Sequence, residues 1–271
     1  MIVFEQTGFS YPGSVVPAVH DVSVTVEPGV LVALLGANGS GKSTLARLVN
    51  ALLVPSTGSV FVDDMDTRDE DAVWSIRSRV GFIQQNPENQ IVGTIAEEDV
   101  AFGPENLGVP PEEIRLRVDE ALDAVGLAGF QRREPHMLSG GQKQRLAIAG
   151  ALAMRPAYLV ADEPTAMLDP VGRADVLSAL RDLRSRGVGV VHITHHLADV
   201  LDADRVIVLS SGGTVFDGTP AELIEDPGRA LRMGIELPAE VLLADELRRG
   251  GVSLPGGRLD PVELVEALWR S

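Results

Sequence analysis

The apolar residues of this chain fall into short continuous runs and longer helical repeats that alternate, which is the pattern of an α/β fold. Val30–Leu35 is an uninterrupted apolar run of strand length. Thr44–Leu53 follows with apolar residues at helical spacing and stops at Pro55. Ala157–Ala161 and Val188–Ile193 are two more apolar runs of strand length. The pattern therefore predicts a core of buried strands and helices.

Two regions depart from this alternation. Ile2–Thr7 and His20–Val26 predict an antiparallel pair of strands, separated by a loop rich in proline and glycine. Residues 87–150 predict helices, including Glu112–Val125, whose apolar residues share one face and which Gly126 stops. Further predicted elements are strands over Gly58–Val62, Val80–Ile83, Arg205–Leu209 and Thr214–Phe216, and helices over Asp71–Arg77, Val171–Arg186 and Pro220–Glu225. The α/β core is thus expected to carry an antiparallel β subdomain and a helical subdomain.

The last segment of the chain changes character. Residues 228–271 predict two helices, near Pro238–Arg249 and Pro261–Trp269, joined by glycine-rich and proline-containing turns. We therefore expect a main domain over residues 1–227 and a small α-helical C-terminal appendage over residues 228–271. Apolar residues of the appendage could pack on the main domain or on another subunit, which makes it a candidate dimerisation element. These residues are Leu264, Leu268 and Trp269.

The junction after the first buried strand carries the main chemical signal. Gly36–Ser43 fits G-x-x-x-x-G-K-S/T at every fixed position and lies between a strand and a helix, the context that makes this pattern a phosphate site. Glycines let the backbone turn tightly and point N–H groups at a polyphosphate, and the helix N-terminus adds partial positive charge. Lys42 can reach the β and γ phosphates, and the Ser43 hydroxyl can ligate Mg²⁺. The alternative, a glycine-rich turn without function, is disfavoured by the flanking strand and helix.

Polar residues at the ends of two other apolar runs extend this site. Asp162 and Glu163 follow Ala157–Ala161, and ligands of parallel sheets gather beyond the carboxyl ends of strands. Asp162 suits a place in the Mg²⁺ shell, and Glu163 suits a base that orients and deprotonates an attacking water. His195, at the end of the following strand, can donate a hydrogen bond to a γ-phosphate oxygen. The alternative for the two acids is a surface strand that they merely cap.

Three further positions are ambiguous when taken singly. Tyr11 lies in the first loop and could stack on a purine base, although packing is the favoured interpretation of a lone tyrosine. Gln85 lies in a polar run at a strand end, where its amide oxygen could contact a metal or water. Leu138–Gln142, with the sequence L-S-G-G-Q, opens a strong helix and could form a second anion-binding end, whereas a plain N-cap is the alternative.

Composition narrows the classes of partner. The 23 basic and 39 acidic residues give a net charge of −16, which argues against non-specific nucleic-acid binding and against electrostatic docking on anionic lipid. No uncharged apolar run approaches the roughly 18 residues that span a bilayer, and Met1–Gln6 has no signal-peptide character. We therefore expect a cytoplasmic protein that reaches a membrane through protein partners. The absence of cysteine excludes disulfides and thiolate metal sites.

With these motifs in this order, residues 2–225 resemble the nucleotide-binding subunits of ATP-binding cassette (ABC) transporters. The order is a phosphate loop, a glutamine loop, L-S-G-G-Q, an apolar strand ending in D-E, then L-D, and finally a strand-end histidine. Gln85–Gln90, Glu97–Gly103 and Met167–Arg173 resemble more narrowly the ATPase subunits of energy-coupling factor (ECF) importers, in particular the first of their two paralogues. His196 departs from the family pattern, because many relatives have an acid there.

The resemblance implies a P-loop NTPase core and a dimer that clamps two ATP molecules head to tail. Each site then uses one chain's phosphate loop and the other chain's L-S-G-G-Q segment, which agrees with the single copy of each anion-binding end. The resemblance assigns catalytic roles to Glu163, His195 and Gln85. It assigns the binding of Mg²⁺ to Ser43, Gln85 and Asp162. The ATP contacts that it implies are Tyr11 against adenine, Gly36, Asn38, Gly39, Ser40, Gly41, Lys42, Ser43, Thr44, Ser139, Gly140, Gly141, Gln142, and Asp169 across the interface.

The expected function is that of an ATPase motor for an importer of a vitamin or transition-metal ion at the cytoplasmic face of the cell membrane. The expected partners are a second ATPase subunit, identical or paralogous, an integral membrane coupling subunit that contacts residues 87–150, and a substrate-binding membrane subunit. Nucleic-acid binding and direct lipid insertion are not expected. The alternative is a soluble ABC ATPase acting on DNA, ribosomes or cofactor assembly, but the tandem cassettes, coiled-coil insertions or basic patches usual there are not visible. A module that binds ATP without turnover would lack the base Glu163.

Overall fold

A computed structural model of the chain describes residues 1–166, 168–252, 254 and 261–270. The strands are β1 (Ile2–Phe9), β2 (Val19–Val26), β3 (Leu31–Leu35), β4 (Thr57–Val62), β5 (Met65–Asp66), β6 (Val80–Ile83), β7 (Tyr158–Asp162), β8 (Gly189–Ile193), β9 (Arg205–Ser210) and β10 (Gly213–Gly218). The helices are α1 (Lys42–Val49), α2 (Val73–Arg79), α3 (Ala96–Asn106), α4 (Pro111–Ala124), α5 (Gly140–Ala153), α6 (Pro170–Ser185), α7 (Pro220–Glu225), α8 (Pro227–Arg232), α9 (Ala239–Arg249) and α10 (Pro261–Arg270).

A six-stranded sheet forms the centre of the molecule, with the order β10-β9-β3-β8-β7-β6. All neighbours are parallel except β10, which pairs antiparallel with β9. Side chains of β3 alternate between two hydrophobic cores, Leu31 and Leu35 on one face and Val32 and Leu34 on the other. Because both faces are covered, this strand is apolar throughout, as the continuous run in the sequence indicated.

The predicted antiparallel β subdomain is a four-stranded sheet with the order β2-β1-β4-β5. Ile2 pairs with Val26 on one side and Val62 on the other, and all three are buried. This sheet and α1 pack against one face of the central sheet, because residues of all three form a single hydrophobic core. The P-loop core with its β subdomain is confirmed by the structure.

The predicted helical subdomain consists of α3, α4 and α5, inserted between β6 and β7. Val100, Leu122 and Leu146 are fully buried, one from each helix, and belong to the core on the other face of the sheet. Ser139 starts α5 with a capping box, since its hydroxyl accepts from the Gln142 N–H while the Gln142 side chain accepts from the Ser139 N–H. These three helices extend from Ala96 to Ala153, against predicted limits of about 87 and 150.

Helix boundaries differ from the sequence pattern at several points. α1 ends at Val49, four residues before the predicted Leu53, because the chain turns at Ala51, where φ is +48°, and the Leu52 and Leu53 N–H groups donate to the Arg47 carbonyl. α2 begins at Val73, two residues after the predicted start, because the Ala72 N–H donates to the Asp69 carbonyl and closes a turn there. The short α8 had not been predicted. Its first turn is capped by Asp226, whose carboxylate accepts from the Arg229 N–H at 2.8 Å, and a capped helix of one or two turns has too few residues to show a period.

The C-terminal segment contributes to two cores. Ala230, Ile235 and Val241 are buried in the core beneath the helical subdomain. Ala244 and Leu264 form a separate small cluster between α9 and α10. Trp269 is 86% exposed, and the side chain of Leu268 lies outside the described residues. The division at residue 227 therefore stays a prediction, with buried contacts to the main core continuing beyond it.

Candidate nucleotide-binding site

The segment between β3 and α1 has a backbone that only glycine adopts readily. Gly36, Gly39 and Gly41 have φ values of +147°, +81° and +104°. A Cβ added at Gly41 would lie 2.5 Å from the Ala18 carbonyl oxygen. No side chain caps the first turn of α1, so its N–H groups keep their capacity to donate to an anion. The loop therefore has the form that the sequence pattern predicted for a phosphate site.

Lys42 is buried beside this loop. Its ammonium donates to the carbonyl oxygens of Gly36 at 2.8 Å and Ala37 at 3.0 Å. Burial lowers the pKa of Lys42, and the nearby carboxylates of Glu163 and Asp162 act in the opposite direction. The Lys42 ammonium thus lies between the loop carbonyls and two carboxylates. A bound polyphosphate would bring further negative charge within hydrogen-bonding distance of it.

Asp162 is the last residue of β7 and is 5% exposed. Burial raises the pKa of its carboxyl, whereas a hydrogen bond from the Ser43 hydroxyl acts to lower it. One carboxylate oxygen, Oδ1, is buried without a hydrogen-bond partner. An unpartnered buried carboxylate oxygen is costly. A hydroxyl and a carboxylate in contact, with one oxygen free, fit the oxygen ligands that Mg²⁺ prefers.

Glu163 follows directly and makes the contact expected of a catalytic pair. Its side chain oxygens lie 2.9 and 3.0 Å from Nδ1 of His195. Its φ of +51° is unusual for a residue other than glycine, and the Glu163 N–H is held by the Ile193 carbonyl at 3.0 Å. Backbone strain of this kind concentrates at functional sites. Neighbouring parallel strands β7 and β8 thus deliver both side chains to the same edge of the sheet.

A cleft runs from the first loop of the chain to the end of β6. Tyr11 is 38% exposed at its rim, and its hydroxyl lies 3.1 Å from Oγ1 of Thr44 while its ring meets Phe9 edge-on. The structure thus shows Tyr11 packed on Phe9 at the rim of the cleft, and its stacking on a purine base stays a prediction. The residues that line the cleft are Tyr11, Ala18, Asn38, Gly39, Gly41, Lys42, Ser43, Thr44, Gln85 and Glu163.

Gln85 reaches this cleft because a second glutamine fixes the chain around it. The Gln90 amide group donates to the Phe82 carbonyl at 2.7 Å, and its oxygen accepts from the Gln84 N–H at 2.7 Å. This side chain therefore continues the edge of β6 in place of a neighbouring strand. Sequence reasoning missed Gln90, whose only signal was its place in the polar run Gln84–Gln90.

Gly36, Ser40, Asp162 and His195 are not among the residues that line the cleft, but each is bonded to or in contact with one that is. Ser139–Gln142 and Asp169 belong instead to other elements, the start of α5 and the cap of α6. Among the residues described as lining the cleft, none comes from Ser139–Gln142 or Asp169. Ser139 and Gly140 are exposed to solvent at the start of α5. Asp169 caps α6, since its carboxylate accepts from the Gly172 N–H at 2.7 Å. The two helix N-termini predicted to bind anions, those of α1 and α5, are thus separate in one chain.

A buried carboxylate behind the site was also missed. Asp199 lies in a short 3-10 helix after His195 and accepts from the Thr165 hydroxyl at 2.9 Å and from Arg173 Nε at 2.6 Å. It thereby joins the segment after Glu163 to the segment after His195. In the sequence, Asp199 is a single acid within a short segment that has no hydrophobic repeat, so nothing there indicated that it joins these two segments.

Of the other histidines, His20 and His136 are exposed, and His192 is fully enclosed in β8. Burial lowers the pKa of His192 to about 4, so its ring is neutral near pH 7. None of the three lines the described cleft, as expected from their places in the sequence.

The sequence profile of the ABC transporter family matches residues 19–166 of this chain. The chain belongs to the ABC transporter family, in which it is an ATP-binding subunit of the ATPase class. Among its relatives, energy-coupling factor transporter ATP-binding protein EcfA1 of Symbiobacterium thermophilum is 56% identical over 252 residues, 93% of this chain and 88% of the relative. Cobalt import ATP-binding protein CbiO of Syntrophus aciditrophicus is 47% identical, with 100% and 98% of the two chains covered.

Solved structures agree with this assignment. The chain is similar to cbiO1 from Clostridium perfringens, described as part of the ABC transporter complex cbiONQ, with a TM-score of 0.77, 32% identity, and coverage of 90% and 98%. It is also similar to the ATP-binding cassette MJ0796, described as a dimer in a post-hydrolysis state bound to ADP and Pi, with a TM-score of 0.75, 31% identity, and coverage of 81% and 99%. The predicted resemblance to ABC subunits, and to the ECF group among them, is confirmed.

Proposed function

We propose that this chain hydrolyses ATP as one ATPase subunit of an ECF-type importer. The observation that supports this most strongly is the grouping of Ser43, Asp162, Glu163 and His195 beside the buried Lys42. It combines an anion-binding loop, an oxygen-lined cation position and a carboxylate–imidazole pair at one sheet edge. Phosphoryl transfer to water needs these three elements.

Binding of the nucleotide uses the loop and its lysine. Phosphate oxygens would replace the carbonyls of Gly36 and Ala37 as acceptors for the Lys42 ammonium. Backbone N–H groups of Gly39–Thr44 would meet the remaining phosphate charge, as the helix N-terminus favours. Tyr11, at the rim of the cleft, would lie against the adenine ring.

Ser43, Asp162 and Gln85 are the residues that would hold Mg²⁺, because they place a hydroxyl, a carboxylate with an unpartnered oxygen and an amide around one end of the cleft. When bound, the ion neutralises phosphate charge as it develops during transfer. The Ser43 hydroxyl is already near enough to lower the pKa of the Asp162 carboxyl in the single chain.

Glu163 acts as the base in this proposal. Its carboxylate would accept a proton from the attacking water, and His195 would orient that carboxylate through the Nδ1 contact and use its second ring nitrogen for the γ-phosphate. The neighbouring Ile193 carbonyl fixes the Glu163 backbone, which keeps the carboxylate from turning toward solvent. A positioned base of this kind contributes about 10²–10⁴ to the rate.

The working unit is a head-to-tail dimer. Ser139–Gln142 and Asp169 lie on α5 and α6 and are not among the residues that line the cleft, so we place them at the nucleotide of a second subunit. Ser139 and Gly140 are exposed, which leaves the start of α5 open to that subunit. The similarity to a dimeric cassette supports this arrangement. The second subunit is either identical or a paralogue.

The remaining partners are an integral membrane coupling subunit, which contacts the helical subdomain near Gln85, and a substrate-binding membrane subunit. The name of the cobalt-import relative supports a transition-metal ion as cargo, and a vitamin is the other cargo that we propose for an importer of the ECF type. Across the part of the chain that is described, no helix has both the length and the apolar character of a membrane span. The chain is therefore proposed to act at the cytoplasmic face of the membrane through these partners.

The variant Glu163→Gln tests the proposal. We expect ATP turnover to fall by about 10²–10⁴, while binding of Mg-ATP persists and a dimer accumulates in analytical ultracentrifugation. Glu134→Gln is a matched control, because Glu134 is an exposed carboxylate that also contacts a histidine, His136. Unchanged hydrolysis by Glu163→Gln would remove the glutamate from this role.

Purification of the chain with its neighbours tests the importer assignment. Expression in its native cell followed by mild detergent extraction should recover an integral membrane protein together with the ATPase. Recovery of the chain only in a soluble complex with nucleic acid or ribosomes would favour the alternative function.

A further inference from the structure

A cluster of three metal-ligating side chains lies beside the candidate base and joins one residue of the nucleotide site, His195, to two residues that the site does not use, His196 and Glu236. His195, His196 and Glu236 each offer one ligand atom, and these three atoms lie within 4.8 Å of one another. Their side chains are 33%, 29% and 66% exposed, so an ion from solution can reach them. The cluster connects the segment after β8 with the segment between α8 and α9.

The cluster is held in place by backbone as well as by side chains. His196 Nδ1 lies 2.9 Å from Glu236 Oε2, and the same two residues form an isolated parallel β-bridge. The His196 N–H also donates to the Thr194 hydroxyl at 3.1 Å. The rings of His195 and His196 are 3.9 Å apart between centroids at an angle of 41°. The second histidine and the glutamate are therefore preorganised next to His195.

The chemistry of the three groups selects a particular class of ion. Two imidazoles and one carboxylate form a ligand set that Zn²⁺ uses with a fourth position left open. Tetrahedral ligands at about 2.0–2.1 Å from a metal are roughly 3.3 Å from each other, so the existing contact of 2.9 Å has nearly the required spacing. Mg²⁺ prefers oxygen ligands and retains its waters, so it does not compete well here.

We propose that His195, His196 and Glu236 bind a late first-row divalent cation, such as Zn²⁺ or Co²⁺, and that the bound ion slows ATP hydrolysis. The ion would take one ring nitrogen of His195 as a ligand. Ligation through Nδ1 removes the contact with Glu163 at 2.9 Å, and ligation through Nε2 removes the nitrogen proposed for the γ-phosphate. The metal-binding part of the proposal is independent of the proposed function, whereas the inhibitory part rests on the role of His195 in hydrolysis.

Binding is tested with Co²⁺ on the full chain without nucleotide. Wild-type protein should show the visible absorption of tetrahedral Co²⁺, saturating at one ion per chain. His196→Ala and Glu236→Gln should weaken the apparent affinity by at least about tenfold. His136→Ala is the matched control, because His136 contacts Glu134 at 3.2 Å in an exposed pair. Within the described residues that pair is not part of a group of three ligands.

Inhibition is tested by adding Zn²⁺ to the ATPase reaction at saturating Mg-ATP. His196→Ala and Glu236→Gln should keep the wild-type rate without Zn²⁺ and need at least about tenfold more Zn²⁺ for the same inhibition. Equal Co²⁺ spectra in wild type, His196→Ala and Glu236→Gln would overturn the metal site. Equal Zn²⁺ inhibition in the three proteins would overturn the inhibitory role, even if the chain proved to be an active ATPase.

Discussion

The buried carboxylate of Asp199 offers a stringent test of how the site is supported, and the perturbation is Asp199→Asn. The Asp199 side chain is 2% exposed and accepts two hydrogen bonds, one from Thr165 and one from Arg173. Asparagine has nearly the same shape but keeps only one acceptor oxygen, because the other becomes an amide donor. The Thr165 hydroxyl can turn to accept from that amide, whereas Arg173 then faces a neutral oxygen in place of a charged carboxylate.

The expected magnitude follows from the charge and exposure of these groups. A hydrogen bond to a charged group is worth about 1.5–3 kcal/mol, and the substitution weakens the bond to Arg173 without abolishing it. The Arg173 side chain is 33% exposed, so water recovers part of the loss. We expect the free energy of unfolding to fall by about 1–2 kcal/mol. For a chain of this size this lowers Tm by about 2–8 °C.

The assay is thermal unfolding of the full chain, followed by steady-state ATPase kinetics at a temperature where both proteins are folded. Asp199 joins the segments that carry Glu163 and His195, so we expect kcat to fall by about tenfold with a smaller change in KM. Asp202→Asn is the matched control. Asp202 lies in the same segment and pairs with Arg181 at 2.9 Å, but both side chains are more than two-fifths exposed.

The control should change stability by less than about 0.5 kcal/mol, as exposed ion pairs do. If Asp199→Asn unfolded at the same temperature as Asp202→Asn, the buried network would not stabilise the fold, and the reasoning would be refuted. A normal Tm combined with a lower kcat would confine its role to positioning.

Two further predictions concern a buried histidine and the phosphate loop. Burial lowers the pKa of His192 from 6.5 to about 4, so acidification through this window protonates the unfolded state first and lowers stability by up to about 3 kcal/mol. Urea unfolding near pH 7 and near pH 4.5 should show a smaller loss for His192→Leu than for wild type, and an equal loss would contradict this. Gly41→Ala should weaken ATP binding more than Gly39→Ala in a fluorescent-nucleotide titration. An added Cβ would lie 2.5 Å from a carbonyl oxygen at Gly41 but would meet nothing within 4 Å at Gly39. Equal losses of affinity would show that the clash at Gly41 is harmless.

Much of the fold could be predicted because its elements carry local signals. β3 is apolar throughout because both of its faces are covered, and the phosphate loop has glycines where φ is positive. The capping box at Ser139 and the apolar face of α4 likewise depend on residues within one or two turns. The grouping of Asp162, Glu163 and His195 was predictable because parallel strands end at the same edge of a sheet.

The remaining features depend on contacts between distant segments. Asp199 meets Thr165 and Arg173, and Glu236 meets His196, only after β8 and the later helices have packed. Gln90 turns back on the end of β6 in a polar loop that has no period. A single polar residue of this kind does not belong to a hydrophobic repeat, and the tertiary structure determines which residue it contacts. Propensity and spacing therefore do not predict these contacts.

The place of β3 in the central sheet has a consequence for biosynthesis. β3 is flanked by β8 and β9, which end at residues 193 and 210. β3 is therefore synthesised well before the two strands with which it pairs. Non-local strand pairings form slowly, and these two partner strands are synthesised late. We therefore expect the phosphate loop of the nascent chain to fold only after most of the chain has left the ribosome. Truncated translation products should therefore neither retain nucleotide nor compete with finished subunits for assembly.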